Sequence, residues 1–222
     1  EVAASQVGAS VSVIDNQRLE LANKLDVLEV LRSVPGVQVV QTGQRGGVTS
    51  LFVRGGNANF NKVLIDGVPA NDIGGSFNFA NLSTTGVEQV ELLRSPNSVL
   101  YGTDSLGSVV NIATRRGASS VPEFTYSADG GNFRTSRQEI SLAGAFRQID
   151  YFSDLSYLKT RNALPNSAFR NQTYSGNFGW KANHTTDIRL NIRHTSVALG
   201  LPGALDFYGI PDDSSQQDRA TR

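Results

Sequence analysis

Asparagine, glycine and phenylalanine recur together in two short stretches, "GGNANFN" (55–61) and "NDIGGSFNFAN" (71–81). Amides, bare backbone and aromatic rings in that mixture suit a large, partly apolar ligand held by stacking and amide hydrogen bonds, and ordinary polar turns share the composition. A third stretch, "LYGTDSLGSVVNIATRR" (100–116), has the glycines of a ligand loop and an acid. It lacks G-x-G-x-x-G and the Gly-Lys-Ser/Thr ending of a phosphate cradle, and Asp104 has no base, nucleophile or metal partner evident in the sequence. "GQRGGVTSLFVRGG" (43–56) has glycines without the lysine such a cradle needs. His184 and His194 lie on or beside strands and read as surface or interfacial residues. The tail "LDFYGIPDDSSQQDRATR" gathers Asp206, Asp212, Asp213 and Asp218. Oxygen ligands of that kind suit Ca²⁺, and an acidic solvated loop is the simpler alternative. No convergent set of titratable groups emerges, so the chain is not expected to be an enzyme.

The composition narrows the partners. The chain has 222 residues, with 20 Lys plus Arg against 20 Asp plus Glu. Charge balance gives no field that would draw nucleic acid. Cysteine is absent, which removes disulfides and thiolate chemistry. Glycine, at 22 residues, exceeds the usual ~7%. No run approaches the ~18 apolar residues of a helical membrane span. The first residue is Glu and Met is absent throughout, so a secretion signal, if the protein is exported, is expected to precede Glu1.

Two grammars meet near residue 118. Before it, "VSVI" (11–14), "VQVV" (37–40), "SLFVRG" (50–55), "KVLIDGV" (62–68), "VEQVELLR" (87–94) and "SVVNIATR" (108–115) read as strands. "NKLDVLEVLRSVPG" reads as one helix, capped by Asn23, with Leu25, Leu28 and Leu31 on its core face and Pro35-Gly36 as its stop. A shorter helix is expected from Ser95-Pro96, with Pro96 at its first position, to Gly102. The segment is a small mixed domain.

After "RRGASSVPE" the period becomes two. Phe124, Tyr126 and Ala128 oppose Glu123, Thr125 and Ser127; Ile140, Leu142 and Phe146 oppose Glu139, Ser141 and Ala143. Tyr151, Leu155 and Tyr157 oppose Asp150, Asp154 and Ser156, with Phe152 and Leu158 as exceptions. Tyr174, Phe178 and Trp180 oppose Thr173, Ser175 and Asn177, and Ile188, Leu190 and Ile192 oppose Arg189, Asn191 and Arg193. A soluble antiparallel sheet with one wet face gives the same alternation. The connections favour a barrel: "RQID" (147–150) and "NHTTD" (183–187) are tight, whereas "RNALPNSAFR" (161–170) and the tail from Gly200 are long. Phe146, Tyr151 and Trp180 lie beside the tight turns, where an interfacial aromatic girdle would fall. Five such strands would leave costly open edges in lipid, so a longer protein is expected.

The motifs "GASVSVID" (8–15), "VLEVLRSVPGVQV" (27–39), "LFVRGGN" (51–57), "VLIDGVPAND" (63–72) and "VEQVELLRSPNSVLYGTDSLGSVVNIATRR" (87–116) follow one another in register. In this the chain resembles the TonB-dependent outer-membrane receptors, and within them the cobalamin-receptor branch most. The resemblance implies an α+β plug domain over 1–118, a small mixed sheet with short helices, followed over 119–222 by about five antiparallel strands of an incomplete transmembrane β-barrel. Family barrels have about 22 strands. Two departures are Arg94-Ser95-Pro96 for the usual Arg-Gly-Pro and Gly107-Ser108 for a double glycine. No TonB box is visible, although "EVAAS" resembles the stretch just after one.

The resemblance further implies that the two Asn/Gly/Phe loops point outward, which makes Asn57, Asn59, Phe60, Ser76, Phe77 and Phe79 ligand-contact candidates. Arg54 and Arg94 match plug arginines that face acidic barrel residues. Some cobalamin receptors order external loops with calcium, so Asp206, Asp212, Asp213 and Asp218 become candidate ligands of a structural Ca²⁺; no other cofactor is expected. The implied partners are TonB with its inner-membrane motor proteins, outer-membrane lipid, and cobalamin or a ferric siderophore as cargo. The implied function is active transport of a scarce ligand across the bacterial outer membrane, with the plug as gate. A siderophore or carbohydrate receptor of the same family and a passive or structural envelope barrel are the alternatives.

Overall fold

The computed structural model describes residues 10–24, 26–95, 98–102, 104–203 and 217–221. The chain divides into two units, one of Glu1–Thr42 with Val48–Thr114 and one of Gly43–Gly47 with Arg115–Arg222. No described helix is long and apolar enough to cross a membrane, which says nothing of strands.

The first unit runs β1 (Val11–Asp15), α1 (Asn16–Ala22), α2 (Val27–Leu31), β2 (Val37–Gln41), β3 (Thr49–Val53), β4 (Asn61–Ile65), β5 (Val68–Pro69), β6 (Val87–Leu93), α3 (Ser98–Tyr101) and β7 (Ser108–Thr114), with 3₁₀ turns at Ala58–Phe60 and Phe79–Asn81. One sheet has the order β1-β6-β7-β4-β5, and β2 and β3 form a separate hairpin. β4 and β7 run parallel while β6 is antiparallel to both β1 and β7, so the sheet is mixed. Apolar residues at alternate positions of the strands and along the two helices close one core. Val27, Leu31, Val63, Val90, Leu92, Val110 and Ile112 are all 0% exposed in it. Each such burial contributes about 1.5–3 kcal/mol.

The helical segment departs from expectation. A helix the sequence does not announce, α1, precedes the expected one, which is shortened to α2, and Asn23 ends the first instead of starting the second. Asp15 is the N-cap of α1, its carboxylate accepting from Arg18 N at 2.9 Å. Asn23 takes φ 45 and donates its N–H to Glu20 O. An Asn side chain tolerates the left-handed region that closes a helix, which overrides its capping preference at this position. α2 starts after Asp26 and buries Leu28 and Leu31, as the spacing requires. Leu25 lies outside the described residues, as does Pro96, the expected first residue of the short helix.

The "IDGV" motif is a hairpin joint. Asp66 and Gly67 take φ 50 and 81, the positive pair a type I′ turn demands. The Asp66 carboxylate also accepts from Thr114 N at 2.9 Å and Thr114 Oγ1 at 2.7 Å, pinning the turn to the end of β7.

The second unit is an antiparallel meander: β8 (Glu123–Gly131), β9 (Thr135–Phe146), β10 (Ile149–Thr160), β11 (Phe169–Lys181), β12 (Asp187–Gly200) and β13 (Gln217–Thr221). These form one six-stranded sheet in sequential order, one strand more than the sequence reading counts. β13 has no alternation of its own. It is held by backbone pairing to β12, from Ser196↔Thr221 to Gly200↔Gln217. Ile149 pairs with Phe146 across the turn at 147–148, and Lys181 pairs with Asp187 at the next turn of the same end.

Register settles the two exceptions in β10. Phe152 pairs with Ala143 and Asn177, and Leu158 with Arg137 and Asn171, so both stand on the polar face, where both are buried. On the opposite face Phe146, Ile149, Trp180 and Ile188 form a continuous cross-strand row of exposed apolar side chains beside the tight turns.

Candidate functional site

Three segments of the first unit meet at one place. Gly107 N donates to Phe60 O at 2.9 Å, joining the loop that precedes β7 to the loop that precedes β4. A Cβ built on Gly75 would stand 2.7 Å from Asn59 O and 3.4 Å from Asp104 Oδ1, so only glycine lets the 71–79 loop approach the other two this closely. Lys62 Nζ and Asp104 Oδ2 lie 3.3 Å apart at this junction.

Asparagines hold the loops in place. Asn61, buried, donates from Nδ2 to Leu51 O at 2.7 Å and to Ala58 O at 3.1 Å, while its Oδ1 accepts from Ser108 Oγ at 2.8 Å. Asn71 accepts from Val63 N at 2.7 Å and donates to Asn61 O at 3.0 Å and Gly75 O at 2.8 Å. Asn78 Oδ1 accepts from Thr49 N at 3.0 Å and Ala80 N at 3.1 Å. Satisfied buried amides of this kind fix backbone that hydrophobic contacts alone would leave free. Ser108, one of the two departures, starts β7 in ordinary strand conformation and uses its hydroxyl to join this network.

With those residues committed to the scaffold, Asn57, Asn59 and Ser76 remain exposed and Phe60 half-buried, a surface of amides, hydroxyl and ring. Phe79 is a correction: it is 2% exposed and belongs to the core, because its 3₁₀ turn lays the ring inward beside Leu82. Phe77 packs partly against the same core, its ring edge-on to Phe79 with centroids 4.8 Å apart. Ile73, not singled out in the sequence, stands fully exposed at the tip of the 71–79 loop. In the sequence it is a lone apolar residue between Asp72 and the Gly74-Gly75 pair, a pattern that scattered surface residues share and that carries no signal of its own.

Arg54 and Arg94 both reach the Pro35-Gly36 turn. Arg54 takes φ 51 and donates its N–H to Gly36 O at 3.0 Å. Arg94 donates from Nη1 to Pro35 O and from Nη2 to Ser12 Oγ at 2.8 Å. Of the acidic tail, Asp206, Asp212 and Asp213 lie outside the described residues, and Asp218 is exposed in β13. Among the described residues no three His, Cys, Asp or Glu side chains group as metal ligands.

In the second unit the faces invert the usual order. Thr173 and Asn177 are 0% exposed on the polar face, whereas Phe124, Leu142, Ile188 and Leu190 stand outside. Arg189 crosses to Asp150 with Nη1–Oδ1 at 2.9 Å and Nη2–Oδ2 at 3.0 Å, a two-point ion pair that also takes in Asn177 Oδ1 at 2.6 Å.

A mixed-sheet globule with a three-loop surface, followed in one chain by an antiparallel meander with an apolar outer face, is the plan of a plug and part of the barrel wall. The family described as TonB-dependent Receptor Plug Domain matches residues 3–109. The vitamin B12 transporter BtuB of Vibrio vulnificus (strain CMCP6) is 34% identical over 159 residues, which cover 67% of this chain and 26% of the relative. Pseudomonas aeruginosa FpvA bound to heterologous pyoverdines superposes with a TM-score of 0.75 at 18% identity, covering 97% of this chain and 31% of that one. The ferric yersiniabactin uptake receptor FyuA from Yersinia pestis does so with a TM-score of 0.72 at 19% identity, covering 88% and 32%. The solved structures show the fold. The chain spans about a quarter of the length of the curated relative, 26%. It belongs to the TonB-dependent receptor family.

Proposed function

We propose that this chain is the plug (1–118) and the N-terminal portion of the barrel (119–222) of an outer-membrane receptor that takes up a scarce large ligand by TonB-dependent active transport. The observation that carries the reading is the coexistence of the pinned three-loop surface with a sheet that exposes its apolar face. Such a sheet suits lipid, and a rigid outward surface of Asn57, Asn59, Phe60, Ser76 and Ile73 suits a large ligand with both amide and apolar edges. Cobalamin is the preferred cargo, supported by the 34% identity to a vitamin B12 transporter. A ferric siderophore is the second reading, favoured by the fold shared with siderophore receptors.

The receptor performs no bond-breaking chemistry. Binding outside is coupled to a pull on the plug from TonB and its inner-membrane motor, and Arg54 and Arg94 are proposed to pair with barrel acids that such a pull separates, since breaking a partly buried pair is costly. Calcium held by the acidic tail remains an accessory proposal. The test uses the complete receptor: equilibrium binding of cyanocobalamin against a panel of ferric siderophores, and cellular uptake with and without an uncoupler. Tight binding of one class and uptake abolished by the uncoupler are expected; uptake that survives the uncoupler overturns active transport.

A further inference from the structure

The charge at the three-loop junction is small and arranged. Segments 55–60, 71–79 and 102–107 contain Asp72 and Asp104 as their only charged residues. The cation beside them is Lys62, at the start of β4, with its side chain 13% exposed and its Nζ 3.3 Å from Asp104 Oδ2, which is itself 37% exposed. Of the other charges on neighbouring segments, the Arg94 guanidinium bonds Ser12 and Pro35 and the Asp66 carboxylate bonds Thr114, while Arg54 is exposed with its backbone N–H on Gly36 O. The junction therefore presents amides, a hydroxyl, apolar groups and the exposed acid Asp72, with its lysine neutralised by an acid that is the more exposed member of the pair.

We propose that the Lys62–Asp104 pair is a specificity element that keeps this surface from attracting anionic ligands and so selects a neutral cargo rich in amide and apolar groups. The inference rests on the three loops facing the ligand, as proposed above. Like charges brought together discriminate between partners more strongly than opposite charges raise affinity, and a pair covered by neighbouring loops is poorly screened by salt. Removing the acid would leave an unneutralised ammonium aimed at the place where the loops meet.

The experiment measures, on the complete purified receptor, the ratio of affinities for a trianionic ferric catecholate and for neutral cyanocobalamin. Asp104→Asn is expected to shift that ratio toward the anion by about tenfold, the effect of one partly covered charge on a multiply charged ligand. Lys62→Met combined with Asp104→Asn, which removes both charges, is expected to return the ratio to the wild-type value. A ratio unchanged in Asp104→Asn, or a shift that persists in the double variant, overturns the proposal. Parallel loss of both ligands in both variants does so as well, since it would make the pair only a structural brace. If the wild-type receptor binds neither probe nor any chelate of the panel, the receptor reading itself falls.

Discussion

The two units solve burial in opposite ways. The first hides Val63, Val90, Leu92 and Ile112 and buries Asn61 only with its amide hydrogen-bonded. The second hides Ser156, Thr173, Ser175 and Asn177 and displays Phe124, Tyr126, Leu155 and Leu190. Both are built from alternating strands, so alternation does not name the solvent. What differs is which member of the alternation is covered, and that difference is what supports the proposal that the second sheet faces lipid.

Substitutions on the two sides sharpen the contrast. The largest effect is expected at Phe79, whose ring fills the plug core: Phe79→Ala should cost about 3–5 kcal/mol of plug stability by chemical denaturation. Phe60→Ala should cost clearly less and act on ligand affinity instead. Next comes Leu190, 56% exposed on the outer face of β12. Leu190→Arg should lower the stability of the complete receptor folded into bilayers by about 1–2 kcal/mol, less than arginine costs at a bilayer midplane because Leu190 lies three residues inside the tight turn. At an exposed site in water the same change would fall within about 0.5 kcal/mol, so this variant separates the two media directly.

Much of this was legible in the residues, and the losses have physical causes. Period two located β8 through β12, whereas "SLFVRG" and "KVLIDGV", which read as unbroken strands, run into turns at Arg54-Gly55 and Asp66-Gly67, where both residues of each pair take positive φ. β13 was missed because pairing to β12, not its own pattern, makes it a strand. Asn23 was misread because a lone Asn serves either end of a helix, and the choice fell to Asp15 as the cap of α1. In the loops, the sequence names Asn57 and Asn59 as contact candidates and assigns no role to the other asparagines of the same stretches. Asn61, Asn71 and Asn78 are scaffold because of partners on other elements, Leu51, Val63 and Thr49, which spacing does not reveal. Phe79 went to the core for the same reason.

The claim on which the rest depends is that the outer face of the second unit meets lipid. Nitroxide labels placed one at a time from Asp187 to Arg193 in the complete receptor, reconstituted in liposomes, test it through collision with oxygen dissolved in the bilayer and with a water-soluble nickel chelate. The account predicts a period of two, with labels at 188, 190 and 192 reached by oxygen and shielded from nickel. Equal access of nickel to those three positions would contradict it.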